Sequence, residues 1–298
     1  MKILCAVNGS ERSFNALRSA CRIAVKNSLS LNAFYVNSSC MYCPELTRWS
    51  YIERRIEKEQ DALSAEIYRK NRDIGKEFNI NIDCLTSSGE VDAEINAFLN
   101  ENGIYKMLVI GHNNKSIFSE NIVKNIIVNC NIPVLTTSSD FDIKRILLSI
   151  EDENTCEEAV KPIAALTKSS DISVTLMIVY PSAEEEFFKY SHIAGLSKIN
   201  ERESIRDMQS LFNKKGDSLL KKLKYSLSAI NITPANIILR EGNWANETIN
   251  EATNHDLLVI CSRNKKSATL NPAINEILYN HWLNILLLPS NPKSQQPD

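Results

Sequence analysis

Met107-Leu108-Val109-Ile110-Gly111-His112-Asn113-Asn114-Lys115-Ser116 is a short apolar run that stops at a glycine and opens into a polar loop. Beyond it a helical pattern passes through Ile122, Ile126 and Ile127, and the chain re-enters a strand at Ile132-Pro133-Val134-Leu135. The same pattern returns later. Leu257-Leu258-Val259-Ile260 leads into Cys261-Ser262-Arg263-Asn264-Lys265, then a helix through Ile274, Ile277 and Leu278, then the strand Asn284-Ile285-Leu286-Leu287-Leu288. A buried strand that ends in a polar loop and opens a helix is where α/β sheets hold anionic ligands.

Working outward, Lys2–Val7 reads as a buried strand, and Asn8-Gly9-Ser10-Glu11 turns the chain with Ser10 as a helix N-cap. The following helix carries Phe14, Leu17, Cys21 and Ala24 on one face. Leu31–Val36 is the next strand. Ile52, Ile56, Leu63, Ile67, Ile74 and Phe78 then mark the apolar stripe of one long helix. Ile80–Thr86 reads as a third strand, ended by Ser87-Ser88-Gly89-Glu90, and a helix with Val91, Ile95, Phe98 and Leu99 inward follows it. Strands and helices alternate through five strands, which implies a parallel sheet with helices on both faces.

After the polar joint 138–142, Arg145-Ile146-Leu147-Leu148-Ser149-Ile150 repeats Lys2-Ile3-Leu4-Cys5-Ala6-Val7, offset by 143 (145 − 2). A repeat this long means two copies of one domain. The expected boundaries are 1–138 and 143–290, with 291–298 a polar disordered tail. In the second copy a helix is expected over 155–167. The counterpart of the long helix spans 183–228, broken near Gly195 and Gly216, and Arg240-Glu241-Gly242-Asn243 repeats the third-strand turn.

A 298-residue chain with 43% hydrophobic and 23% charged residues suits two globular domains. Its net charge of −2 leaves no basic footprint for nucleic acid. Glu11 and Arg12 follow the first strand too closely for a signal peptide, and no apolar run nears the ~20 residues that span a bilayer. The expected location is the cytoplasm, away from membranes. Of eight cysteines, most sit on strand or helix patterns as small hydrophobes. Only Cys40-Met41-Tyr42-Cys43 has chemical spacing, and a metal site there needs a second ligand pair that no other CxxC supplies. Gly-x-Gly-x-x-Gly and the P-loop signature are both absent, against dinucleotide enzymes and P-loop NTPases.

Together, Ile3-Leu4-Cys5-Ala6-Val7-Asn8-Gly9-Ser10-Glu11, Leu108-Val109-Ile110-Gly111 and Ile132-Pro133-Val134-Leu135 resemble the universal stress protein family. With Arg145–Ile150 and Leu257–Ile260 the resemblance extends to its tandem two-domain form. It implies two open parallel five-stranded sheets of strand order 3-2-1-4-5, Rossmann-like and akin to the adenine nucleotide alpha hydrolases. It also implies a pseudo-dimer in which the last strands of the halves meet; further pairing as a homodimer is open.

Many members of that family bind ATP through an acid after the first strand, backbone at the end of the second, and a Gly-x-x-Gly segment with a later Gly-Ser/Thr after the fourth. Bare glycine backbone closes on phosphate, and the next helix presents its positive end. The resemblance places a vestigial site in the first copy at Asn8, Gly9, Ser10, Val36, Gly111, His112, Asn114 and Lys115. Asn8 replaces the acid, Asn114 replaces the second glycine, and no Gly-Ser/Thr remains near Glu120 and Asn121. In the second copy the matching positions are Glu151 beside Asp152, Val179, Cys261, Asn264 and Asn271-Pro272. Both sites are eroded.

The expected function is therefore a non-catalytic stress-response protein that acts through protein contacts, without a cofactor. The alternative is a signalling switch that binds ATP in the first copy. No enzyme is expected, because His112, His192, His255 and His281 have neither metal nor nucleophile spacing. A lone loop histidine such as His112 is expected to be solvated, His255 to end a helix, and Trp244 and Trp282 to fill helix–sheet contacts.

Overall fold

The computed structural model describes residues 2–38, 50–112, 117–150, 163–164, 166–167, 172–194, 200–262, 270–280 and 282–289. Cys40, Cys43 and the 291–298 tail lie outside them. Two compact units emerge: Met1–Asp142 with Asn264–Leu270 and His281–Asp298, and Ile143–Arg263 with Asn271–Asn280.

The first unit runs β1 (Lys2–Ala6), α1 (Glu11–Asn27), β2 (Ser30–Asn37), α2 (Ser50–Glu77), β3 (Ile82–Ser88), α3 (Val91–Glu101), β4 (Tyr105–Gly111), α4 (Ile117–Asn129) and β5 (Val134–Thr137). β1 pairs in parallel with β2 and β4, β2 with β3, and β4 with β5, giving the order 3-2-1-4-5. Ile3, Leu4 and Cys5 are all fully buried on β1, as a parallel strand covered on both faces requires.

Helix α1 starts where Ser10 accepts the Ser13 N–H and seats Phe14, Leu17, Cys21 and Ala24 in the core. Burying Leu17 or Phe14 contributes about 2 kcal/mol each. Its outer face is tied to the polar joint: Arg22 donates two hydrogen bonds to Asp140, at 3.1 and 2.9 Å, and Lys26 pairs with Asp142. On α2 the stripe holds at Ile67 and Ile74, while Leu63 is 40% exposed. Strand β3 begins at Ile82 rather than Ile80. Asn79 takes a left-handed turn (φ 57°), and the Ile80 N–H is committed to Gly75 O as the end cap of α2.

The second unit runs β6 (Arg145–Ile150), β7 (Ser173–Tyr180), α5 (Ala183–Ala194), α6 (Glu201–Ser228), β8 (Asn236–Glu241), α7 (Trp244–Ala252), β9 (Leu257–Ser262) and α8 (Pro272–Tyr279). Its strands are parallel in the order β8-β7-β6-β9. Ile163 and Leu166 of the expected helix 155–167 are buried; most of that stretch lies outside the described residues. Helix α6 runs straight through Gly216, where a break was expected. One glycine costs about 1 kcal/mol against alanine in a helix, which the buried Leu219, Leu223 and Leu227 outweigh.

The last strand, β10 (Ile285–Pro289), lies in the first unit, antiparallel to β5, with Ile285 opposite Thr136 and Leu287 opposite Val134. The final strands of the two repeats thus pair, as the family resemblance implies. Thr137 Oγ1 adds a hydrogen bond to Asn284 Oδ1 at 2.6 Å.

Candidate functional site

In the first unit β1 and β4 are neighbours, with Ala6 opposite Ile110. The turn Asn8-Gly9-Ser10 and the pair Gly111-His112 therefore lie side by side. Asn8 Oδ1 accepts the Ser10 N–H at 3.1 Å and the Ser10 hydroxyl at 2.7 Å. The Asn8 N–H reaches Ser13 Oγ at 3.3 Å, and Ser13 Oγ donates to Ser10 O at 2.7 Å. Asn8 thus builds a local turn that presents Ser10 as the N-cap of α1. Its acceptor oxygen is engaged inside the turn.

Gly9 has φ +83°, and a Cβ there would stand 3.1 Å from Leu63 Cδ1 and 3.4 Å from Ile67 Cδ1. The apolar face of α2 thus lies against the turn. Gly111 is held from the other side. A Cβ on it would fall 2.8 Å from the Arg12 carbonyl oxygen and 2.9 Å from both Arg12 C and Ser13 Cα. The first turn of α1 packs backbone to backbone on the end of β4, so the fold itself demands glycine at this position.

Arg12 Nη1 donates to His112 O at 3.2 Å, and the His112 N–H donates to Thr137 O at 2.8 Å. His112 is 5% exposed, which corrects the expectation of a solvated loop histidine. The hydrogen bond to β5 extends the sheet one residue past Gly111 and draws the side chain in with it. Val36, near the end of β2, is buried, and its neighbour Asn37 receives α2 through a 3.0 Å bond from Nδ2 to Gln60 Oε1. Asn114 and Lys115 lie outside the described residues. The structure thus brings together Asn8, Gly9, Ser10, Gly111 and His112, and adds Arg12, Ser13, Leu63 and Ile67. The spacing of α2 marks Leu63 and Ile67 as inward, but no signal in the sequence says that they face Gly9.

In the second unit Val179 and Cys261 are buried. Glu151, Asp152 and Asn264 lie outside the described residues. Asn271 caps α8, accepting the Ala273 N–H at 2.9 Å, with Pro272 in the first turn. Elsewhere in this unit Trp244 does fill a helix–sheet contact, donating from Nε1 to Ser149 Oγ at 3.0 Å, and Ser149 shares a 2.7 Å bond with Thr248. His255 lies three residues past the end of α7, its N–H on Ala252 O and its Nδ1 at 3.0 Å from Glu251 O, while Thr253 is the C-cap. Trp282 departs from expectation at 47% exposed, since it precedes β10 in a bend outside any helix.

Burial raises the thiols of Cys5 and Cys130, and takes Cys21 from 9.0 to about 12. Such thiols stay protonated and act as packing groups. Among the described residues no cluster of three His, Cys, Asp or Glu is placed to hold a metal. No helix among them is long and apolar enough to cross a membrane.

Residues 1–138 match the family model of the universal stress proteins. The match covers the first repeat, 138 of the 298 residues. A universal stress protein from Archaeoglobus fulgidus DSM 4304 superposes over 98% of this chain and 97% of its own, with a TM-score of 0.68 and 12% identity. A Pseudomonas aeruginosa UCBPP-PA14 structure assigned to the same family covers 97% of this chain and 92% of its own, at TM-score 0.57 and 13% identity. At such identities the likeness shows a shared fold. No curated protein matches the sequence.

Proposed function

We propose that the chain is a universal stress protein that works by protein contact, without catalysis, and that its nucleotide cradles no longer serve. The observation that carries this reading is Gly111. The residue that most resembles a phosphate-binding glycine is already packed against the backbone of Arg12 and Ser13. Two further features support it: Asn8 spends its side-chain acceptor on Ser10, and Leu63 and Ile67 lie over Gly9. A cradle for phosphate needs bare, approachable N–H groups, and the reading is supported by the His112 N–H, which is already committed to Thr137 O at 2.8 Å.

The test is direct. Protein purified under native conditions is denatured and its supernatant analysed for adenine nucleotide, and a thermal melt is run with and without 1 mM MgATP. A ligand with a Kd one hundred-fold below its concentration would stabilise the fold by about 2.7 kcal/mol, a shift of several degrees. No released nucleotide and no shift are expected. Co-purified ATP, or a shift abolished by Asn8→Leu, would establish the nucleotide switch in its place.

A further inference from the structure

A large cleft among the described residues, about 1010 Å³, lies between the second half of α2 and the start of β3. The candidate nucleotide residues do not line it. Its α2 wall is a stripe at helical spacing that includes Tyr68, Arg69, Arg72 and Lys76. The other wall is Ile82, Asp83 and Cys84 of β3. Among the described residues β3 pairs with β2 alone and stands at the end of the strand order, so one side of its backbone is an open ladder.

The charges around the cleft are unequal. Asp83 faces Lys2 at 4.0 Å, Asp73 takes Lys76 at 3.3 Å, Glu66 takes Lys70 and Glu77 takes Arg18. Arg69 and Arg72 have no ion-pair partner among the described residues, and Arg72 is close enough to Cys84 to lower its thiol, against the larger opposite effect of burial. An open strand edge beside two uncommitted arginines has the recognition elements of strand addition with a charge filter.

We propose that β3 captures an extended acidic segment of a partner protein, which adds to the sheet edge and points its carboxylates at Arg69 and Arg72, with Lys76 beyond. From Arg69 to Arg72 the helix rises ~4.5 Å and alternate residues of an extended peptide stand ~6.8 Å apart, a difference of ~2 Å that two long arginine side chains span, so acids at every second position reach both guanidinium groups. Arginine suits such an acceptor because its fork takes a carboxylate through two parallel bonds.

The probe is a fluorescein-labelled hexapeptide of alternating valine and glutamate, titrated into the full chain by fluorescence anisotropy. Controls are the same peptide with lysine for glutamate, and tripolyphosphate as a competitor. Saturable binding of the acidic peptide is expected, with slowed amide exchange over 82–88. R69E/R72E should weaken it at least tenfold, and the milder R69A/R72A by a lesser factor. Both sites are exposed, so the melting temperature should hold. Equal binding by R69E/R72E, equal binding of the lysine peptide, or no saturation overturns the proposal. So does displacement by tripolyphosphate with no protection of β3, which would mark an anion site instead. Strand capture rests on the reading of the chain as a protein-contact module, yet the two fail separately. ATP binding would sink that reading and leave the anisotropy result untouched.

Discussion

Gly111 at the end of β4 and Cys261 at the end of β9 occupy matching places in the two repeats, and they show two ways of ending the same strand. In the first, the backbone of Arg12 and Ser13 comes so close that any side chain would collide. In the second, a buried thiol is accommodated. A second contrast lies beneath the third helix of each repeat. The first repeat has Ala6, Val91 and Ile95, and the second has Ser149, Trp244 and Thr248 joined by buried hydrogen bonds. The contrast shows that Gly111 answers a packing demand, because two backbones meet where its side chain would stand.

The most forceful way to break that contrast is Gly111→Ala, set against Cys261→Ala. Forcing a Cβ against backbone that cannot turn aside should cost about 3 kcal/mol, while trimming the thiol should cost about 1 kcal/mol. Urea denaturation measures both, and equal losses would show that Gly111 is not held by Arg12 and Ser13. Next in size, Ser149→Ala strands the Trp244 N–H and the Thr248 hydroxyl in a buried place, for an expected loss of about 2 kcal/mol. The triple variant S149A/W244V/T248I, which installs the apolar trio of the first repeat, should recover part of it.

A pH titration sharpens the comparison further, because the buried pair Cys5 and Cys21 belongs to the first unit. The unfolded chain releases the Cys21 proton from pH 9.0 upward, whereas the folded chain holds it to about 12. Stability from this thiol is complete below pH 9 and declines as pH rises through that window, by roughly 1 kcal/mol at pH 10. Cys21→Ala should flatten the decline in a melting series from pH 8 to 10.5, and an unchanged slope would rule the thiol out. The smallest effect belongs to Ser87→Ala, which removes one hydrogen bond to Glu94 at a cost of about 1 kcal/mol or less. The matching Glu247 pairs instead with Arg240, so the cost of Arg240→Met should shrink as salt is added.

Much of the fold was legible in the residues themselves. The apolar runs at Lys2–Val7 and Met107–Ile110 gave buried parallel strands, and Ser10 before Phe14 gave a helix start, because these signals act within one or two turns of chain. The candidate site was legible only in part. Asn8 and Gly111 could be placed at strand ends and Ser10 at a helix start, but not the commitment of Asn8 to Ser10 or the contact of Gly111 with Arg12. His112 read as a loop residue because its hydrogen bond to Thr137 joins positions far apart in sequence.

By itself, then, the sequence determined the alternation of strands and helices, the return of one strand pattern along the chain, and the residue types that end its strands. Each of these depends on local spacing and on residue identity. Only the tertiary structure decided what stands against Gly9 and Gly111, that β10 runs antiparallel to β5, and that the open cleft lies at β3. Those facts depend on which distant backbones come within van der Waals reach, and no periodicity along the chain encodes a distance across it.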